Sequence, residues 1–416
     1  MKIKKPELMS PAGDRVSLRA ALDAGCDAVY FGIQGLNMRA GAENFSPADL
    51  KKIVRLCHAA GARAYLTLNS IIYENEISQV QKIISKAKQA EVDAVLCWDF
   101  AVIQEAQQQG VPVYISTQMS VANAESLLFF YRNFGIRRFV LARECSIEAI
   151  KKIRQKLGKS LGGKAKEIEL EVFAHGALCV SVSGRCFLSQ FLYNKSANRG
   201  ECLQPCRRQY LVTDPVHGDS LAVGNNYILS PRDLCTLPFI ENLIDAGITS
   251  FKIEGRNRSP EYVRTVTRAY RRAIDFYCDN RGKAGCKAGL TALKEELMAS
   301  LARVYNRGFS SGFYLGRPLN DWHDREGSNA TVRKEYAGVV TNFFKKPGVT
   351  EIRVESNEFS VGDEIMFQGP TTGVFSQIAA SIEVEHRKVE RAEKGLVVAV
   401  KTDRLTRQND KVYIFK

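Results

Sequence analysis

Four cysteines stand close together in the chain and carry its clearest chemistry. They are Cys179, Cys186, Cys202 and Cys206, with the spacing C-x6-C-x15-C-x3-C. Thiolates grouped in this way, in a chain with no sign of secretion, favour a metal centre over a disulfide framework. Four cysteines can complete a tetrahedral zinc site or bind the irons of a [4Fe–4S] cluster.

The spacing favours the cluster over zinc. Structural zinc sites use paired C-x2–4-C knuckles, and here only the second pair of cysteines is that close. We therefore expect a [4Fe–4S] cluster, with zinc as the alternative occupant. Cys235, further along the chain, is a candidate substitute ligand.

Length and composition indicate a globular protein of two domains. The chain has 416 residues, of which 45% are hydrophobic and 25% charged. No stretch is long and apolar enough to span a membrane. The first residues lack the apolar region of a signal peptide, so we expect a cytoplasmic protein with no membrane partner.

The excess of positive over negative charge lies in the first part of the chain. The net charge is +14, and residues 1–319 carry 44 Lys and Arg against 30 Asp and Glu. The remaining residues carry 15 of each. A basic domain suggests a polyanionic partner or anionic small substrates, and the alternative is a basic protein with no nucleic-acid role.

Eight β-rich runs alternate with amphipathic helical stretches. The runs lie at 7–11, 27–33, 62–69, 93–99, 111–117, 137–143, 168–176 and 250–256. Repeated βα units imply parallel strands, and eight of them imply a (β/α)8 barrel whose chemistry lies on the loops after the strands. An open doubly wound sheet is less favoured, because no G-x-G-x-x-G loop follows the early strands.

One connection and the C-terminal region depart from this pattern. More than 70 residues separate strands seven and eight, and we assign 177–229 to a cysteine-rich insertion in a barrel domain covering 1–318. A polar linker at 319–335 follows. Residues 336–416 contain short alternating strands with turn signals, which predict a small antiparallel β-barrel.

Strands seven and eight place charges on the face expected to point into the barrel. Glu171 and His175 share one face of strand seven, and Lys252, Glu254 and Arg256 share one face of strand eight. Inward charges in a barrel must be paired or functional, and the alternative is an internal Lys–Glu network that locks the barrel. Glu171, His175 and Glu254 are our candidates for catalytic proton transfer.

Four cations are candidates for substrate binding. Arg39 follows strand two and Arg143 ends strand six, so both should meet Lys252 and Arg256 at the barrel mouth. Together they suit a small molecule that carries carboxylates.

A basic stripe follows strand eight. Arg264, Arg268 and Arg272 recur at i, i+4 and i+8 on one predicted helix face. Such a stripe is a candidate contact for RNA phosphates, and a solvated helix face is the alternative.

Familiar hydrolase motifs do not assemble into a catalytic set. We find no H-E-x-x-H, and the five histidines are scattered. A protease mechanism is therefore difficult to assemble from these residues.

Several long motifs resemble those of the U32 family. They are EVFAHGALCVSVSGRCFLS, ANRGECLQPCRRQY and FKIEGRNRSPEYV, together with ELMSPAGD, DAVYFG and LNMRA near the N-terminus. The resemblance covers residues 6–318, and the C-terminal region resembles that of the longer family members.

This resemblance implies two kinds of activity. The family was named as peptidases, with collagenase activity reported for some members. Other members are oxygen-independent hydroxylases that act on tRNA uridine 34, on an rRNA cytidine or on a ubiquinone precursor. Those members bind a [4Fe–4S] cluster through four cysteines, which implies Cys179, Cys186, Cys202 and Cys206 as ligands here and Cys235 as a bystander.

A barrel followed by one small β-domain is most similar to the prephenate-dependent tRNA uridine(34) hydroxylases. The implied reaction places a hydroxyl group on C5 of the wobble uridine, with a prephenate-related co-substrate. The implied partners are tRNA and this small dicarboxylate. The alternatives are a collagenase-like U32 peptidase and a hydroxylase of an rRNA cytidine or a ubiquinone precursor.

Overall fold

The computed structural model describes residues 4–218, 220–221 and 227–416. Helices α1 to α10 span, in order, Arg15–Asp23, Leu50–Ala59, Ile77–Gln89, Phe100–Gln109, Ala124–Phe134, Ile147–Leu161, Leu188–Tyr193, Ile240–Asp245, Pro260–Asn280 and Cys286–Ala302. Strands β1 to β12 span Glu7–Ala12, Ala28–Phe31, Arg63–Thr67, Ala94–Cys97, Val113–Ile115, Arg138–Val140, Glu169–Gly176, Val212–Thr213, Ser220–Leu221, Asp233–Cys235, Ser250–Ile253 and Phe309–Ser310. Strands β13 to β22 span Lys334–Phe344, Val349–Val354, Phe359–Ser360, Glu364–Gly369, Gly373–Ile378, Ile382–Val384, Arg387–Val389, Arg391–Ala392, Val397–Lys401 and Lys411–Phe415.

Eight parallel strands close into a barrel. Strands β1 to β7 pair in sequence order, and β11 pairs with both β1 and β7. This confirms the predicted (β/α)8 architecture. Strands such as β2 and β4 are buried along their whole length, as expected for parallel strands that are covered by helices outside and packed side chains inside.

Side-chain caps fix the points at which several surrounding helices begin. Asp14 accepts a hydrogen bond from Ser17 N at 2.6 Å, and Asn123 accepts one from Ser126 N at 2.9 Å. These contacts satisfy backbone N–H groups that have no partner within the helix. The helices therefore start directly after the strand-end loops and keep those loops at one end of the barrel.

The insertion between β7 and β11 returns to the sheet before the barrel closes. Strand β10 pairs antiparallel with the end of β7, with Leu234 opposite Gly176 and Cys235 opposite His175. Strand β12 then pairs with β10. The cysteine-bearing segment is thus anchored above the C-terminal ends of the barrel strands.

The C-terminal strands form an antiparallel sheet with its own core. Their order is β17-β16-β22-β13-β14-β21-β18-β19, and the core includes Val340, Ile352, Phe367, Val398 and Ile414. This confirms the predicted antiparallel domain. In the described residues no pairing joins the edge strands β17 and β19, so the sheet is curved but not closed. Two register shifts bend β13, which is a central strand of this sheet.

The sheet packs on the outer wall of the barrel. Ala20 of α1 lies in one buried cluster with Met366 and Val374 of the sheet. Lys334 forms an ion pair with Glu261 of α9 at 2.8 Å. Within the described ranges, no helix combines the length and apolarity that a bilayer crossing requires.

Candidate active site at the barrel mouth

A cavity of about 210 Å³ lies at the C-terminal ends of the barrel strands. This is the end at which (β/α)8 enzymes carry their active sites. Its lining includes Arg39 from the loop after β2, Thr67 at the end of β3, Phe173 from β7 and Glu254 directly after β11. The insertion provides the remaining wall.

All four predicted cysteine ligands line this one cavity. The segment that carries them is held down by Gly200, which adopts φ +85° and lies against the backbone of the β2 loop. A Cβ atom there would come within 2.4 Å of Asn37 O, so only glycine permits this approach. The backbone N–H of Cys186 also donates to Asn198 Oδ1 at 3.2 Å. This hydrogen bond ties the first pair of cysteines to the segment that precedes Cys202.

The four thiols are electrostatic neighbours. Burial raises the pKa of the Cys206 thiol, Arg207 opposes that rise, and Cys179, Cys202 and Cys186 add to it. Four thiolates at one place would repel each other unless a cationic centre neutralised them. The donor set is therefore of the kind that binds a soft metal centre.

No three His, Cys, Asp or Glu side chains of the described residues converge closely enough to hold one metal ion. Four cysteine thiols are the donor set of a tetrahedral zinc site and equally of a [4Fe–4S] cluster.

The rest of the lining is strongly cationic. Among the described residues the cavity is lined by seven cations and one carboxylate: Arg39, Arg143, Arg207, Lys252, Arg256, Arg258 and Arg307, with Glu254. Such an enclosure favours anionic ligands. The four predicted substrate-binding cations are all present in this lining.

Glu254 is held in its ionised form. Arg39 donates to Glu254 Oε1 from Nη2 at 3.0 Å and from Nε at 3.3 Å. Burial alone would raise the pKa of Glu254, but Arg39, Arg258 and Arg143 outweigh burial and lower the pKa below its usual value. Glu254 can therefore accept a proton only when a ligand displaces these guanidinium groups.

Two arginines are positioned for an anionic ligand. Arg256 donates to Thr67 Oγ1 at 2.9 Å and to Asn37 Oδ1 at 2.8 Å, and burial lowers its pKa to about 10. It remains charged at neutral pH. The guanidinium of Arg143 lies 4.1 Å from the centre of the Phe173 ring, and its Nε has no hydrogen-bond partner among the described residues. That unsatisfied donor is available for a ligand.

Lys252 lies deep in the cavity and is only weakly paired. Its Nζ is 3.4 Å from Glu171 Oε1, without the alignment of a hydrogen bond, and 4.4 Å from the centre of the Tyr30 ring. Burial lowers the pKa of Lys252 to about 8, although Glu171 opposes this shift. An amine with this pKa can give up and take back a proton near neutral pH.

Glu171 does not line the cavity. It is fully buried behind Lys252 and accepts a hydrogen bond from Arg138 Nε at 2.9 Å. Arg138 also bonds to Glu7 and Ser250. The sequence offered an internal Lys–Glu network as the alternative to a catalytic role, and the structure has a buried Arg–Glu network in its place.

His175 points away from the barrel interior, contrary to the predicted strand alternation. Lys252 pairs with Phe173 and Ile253 with His175, so Ala174 is an extra residue in β7. This β-bulge turns the His175 ring outward against Tyr270 of α9, at 5.6 Å between ring centres. Burial lowers the pKa of His175 to about 3, so the ring is neutral.

The basic stripe lies on α9, outside the barrel. Arg272 forms a bidentate ion pair with Glu296 of α10, at 2.6 and 2.9 Å. Arg264 is partly buried, and Arg268 is exposed. Arg272 stands twelve residues after Pro260, about 18 Å along the helix axis from its first turn.

Sequence reasoning missed three arginines of the cavity. Arg307 and Arg258 both approach the buried Asp233, at 3.5 and 3.8 Å, and Arg207 donates to Pro231 O at 2.7 Å. Arg258 follows strand eight and Arg207 follows Cys206, so their positions in the sequence could have indicated that they line the cavity. The position of Arg307 in the sequence gives no such indication, because only the fold brings it to β10.

Fold and site together define a (β/α)8 barrel protein with a thiol-lined, cationic cavity. The chain belongs to the U32 family, since residues 13–324 match the family described as "Peptidase family U32". The cavity therefore lies within the part of the chain that matches the family.

Three curated relatives extend along most of the chain. A "Collagenase" of Porphyromonas gingivalis is 43% identical and covers 100% of this chain and 99% of its own. An "Uncharacterized protease" of Methanocaldococcus jannaschii is 41% identical, with coverage of 99% and 98%. A "tRNA hydroxylation protein P1" of Bacillus subtilis is 31% identical, with coverage of 91% and 87%.

Proposed function

We propose that this protein is a [4Fe–4S] enzyme that hydroxylates C5 of uridine 34 in tRNA, with a prephenate-related dicarboxylate as co-substrate. The observation that carries the proposal is the joint lining of one cavity by four thiols and seven cations. Thiols alone would suit a structural metal. The cations add a binding site for an anionic substrate directly beside them.

Cys179, Cys186, Cys202 and Cys206 would hold the cluster. When bound, such a cluster would supply electron transfer or polarise the substrate. Zinc is the alternative occupant of the same donor set, and the C-x6-C spacing of the first pair of cysteines favours the cluster.

The cations of the cavity account for binding of the co-substrate. Arg143 and Arg256 present guanidinium groups that bind carboxylates in a bidentate manner. Arg256 is fixed by Thr67 and Asn37, so it needs little reorganisation when a ligand arrives. Lys252 is positioned to transfer a proton to or from the bound molecule. Glu254 can do the same once Arg39 has left its carboxylate to bind the ligand.

A peptidase is the second candidate, and the names of the relatives favour it. The two relatives at 41% and 43% identity are called a protease and a collagenase, whereas the tRNA hydroxylation protein is 31% identical. The chemistry of the cavity favours the hydroxylase. No histidine is among the described lining residues, so Lys252 or Glu254 would have to activate the attacking nucleophile.

Two measurements separate the candidates. Deleting the gene should remove nucleosides derived from 5-hydroxyuridine from total tRNA, as read by mass spectrometry. An unchanged nucleoside profile would sink the hydroxylase proposal. Collagen cleavage by protein purified without oxygen, unaffected by Cys186→Ser, would establish the peptidase instead.

A further inference from the structure

Exposed aromatic side chains stand at the rim of the cavity. Phe187 and Phe191 are 61% and 85% exposed, and their ring centres are 6.1 Å apart. Leu188 and Ser189, between them, line the cavity. One side of this turn therefore faces the site, and the other side presents two rings to solvent.

The apolar surface extends beyond these two rings. Leu203 is 51% exposed and lies beside α7, because its N–H donates to Ser189 Oγ at 2.9 Å. Leu192 is 50% exposed. Several exposed apolar side chains around one short helix make this turn a candidate interaction site.

Cations without carboxylate partners flank the rings. Arg208 lies 5.1 Å from the centre of the Tyr193 ring and donates to its hydroxyl at 2.5 Å. Arg185, two residues before Phe187, donates to Ser120 Oγ at 2.9 Å. Neither arginine forms an ion pair in the described part of the chain, so their positive charge is available to an anionic partner.

Exposed aromatic rings beside guanidinium groups that form no ion pair among the described residues match the chemistry of unpaired nucleic acid. Bases stack on the rings, and phosphates pair with the cations. A purely apolar partner would leave these guanidinium charges without a counter-charge, and a folded duplex would offer the rings no free bases. The complementary ligand is therefore a single-stranded loop.

We propose that an aromatic rim, formed by Arg185, Phe187, Phe191, Tyr193 and Arg208, binds the unpaired bases of an RNA loop. The rim holds the loop while one base enters the adjacent cavity. This inference rests on the proposed function and moves the RNA contact from the outer face of α9 to the mouth of the barrel. Arg272 on α9 is already paired with Glu296, whereas the rim cations form no ion pair with any residue the structure describes.

The test compares Phe191→Ala and Arg208→Ala with the unchanged protein. Binding of a fluorescein-labelled RNA hairpin with an anticodon-type loop is followed by fluorescence anisotropy in the absence of oxygen. Loss of one stacked base should weaken binding roughly tenfold. A blunt-ended RNA duplex of equal length should bind more weakly than the hairpin and show no such difference between variants.

Phe344→Ala is the matched control. Phe344 is also a largely exposed phenylalanine, at 43%, but lies in β13 of the C-terminal sheet. It should leave RNA binding unchanged. Thermal midpoint and iron content should be the same in Phe191→Ala as in the unchanged protein, because Phe191 is 85% exposed.

Two other outcomes overturn the rim. Equal affinity of Phe191→Ala and the unchanged protein would leave the hydroxylase proposal intact and remove the rim. Absence of RNA binding, with a concentration-dependent dimer that Phe191→Ala dissolves, would assign the surface to a second copy. Conversely, weakened RNA binding beside an unchanged tRNA nucleoside profile supports the rim and removes only the hydroxylase.

Discussion

Replacing Arg138 by methionine tests whether Glu171 is structural. Arg138 is 1% exposed, and its Nε donates to the fully buried Glu171 at 2.9 Å. Glu7 lies on the other side of the same guanidinium. In Arg138→Met the remaining cation near Glu171 is Lys252, at 3.4 Å and poorly aligned.

The expected cost is large. Removing one partner of a buried ion pair costs about 3–5 kcal/mol, because the other charge stays buried without compensation. Folded domains have a total free energy of unfolding of about 5–15 kcal/mol. Arg138→Met should therefore lose a substantial share of the stability of the barrel and lower its thermal midpoint by roughly 6 °C or more.

A double-mutant cycle measures the pair directly. Urea unfolding followed by circular dichroism is compared for the unchanged protein, Arg138→Met, Glu171→Gln and the double variant. The double variant should be more stable than the sum of the single effects predicts, since it removes the orphaned charge. Arg268→Met, an exposed arginine of α9, is the control and should change stability by less than about 0.5 kcal/mol.

Two results would refute this reasoning. Arg138→Met within about 1 kcal/mol of the unchanged protein would show that the network stabilises little. A fully stable Glu171→Gln variant that has lost tRNA modification would return Glu171 to the reaction.

Three further predictions concern the cavity and its surroundings. Cys206→Ser should lose iron on anaerobic purification while Cys235→Ser keeps it, because Cys235 is buried outside the cavity lining; iron loss in both would contradict this. Burial lowers the pKa of Lys252 to about 8, so the unfolded chain binds more protons between about pH 8 and pH 10.4, and stability should rise over that window. In thermal melts, the stability of Lys252→Met should rise by up to about 3 kcal/mol less over that window than the stability of the unchanged protein. An identical dependence of stability on pH in both proteins would refute the lowered pKa of Lys252. His175→Phe should retain modification activity in a nucleoside assay, since the ring lies against Tyr270 outside the cavity; complete loss in a folded variant would restore a catalytic role.

Local patterns were enough to predict the main architecture. The alternation of β-rich runs and amphipathic helices is a property of neighbouring residues, and it predicted the closed parallel barrel. Likewise, Lys252, Glu254 and Arg256 alternate along one face of the chain, and all three line the cavity. The antiparallel C-terminal strands followed from the same kind of signal.

A single extra residue defeated the same reasoning in β7. Alternation assigned His175 to the inner face with Glu171, but the bulge at Ala174 moved it to the helix side. The sequence carries no mark of this bulge, because it depends on the pairing of β7 with β11. Glu171 was predicted to face inward, yet only the packed structure shows that Arg138 from a neighbouring strand occupies its carboxylate.

The sequence by itself determined the repeating units, the basic charge of the barrel and the four thiols, since each is written in residue types and spacing. Tertiary structure alone decided which charges meet. Arg307 reaches the cavity through β10, Arg138 of β6 neutralises Glu171 of the neighbouring strand β7, and the rings of the insertion stand at the cavity mouth. Contacts between distant segments depend on the path of the backbone through space, and no local pattern encodes that path.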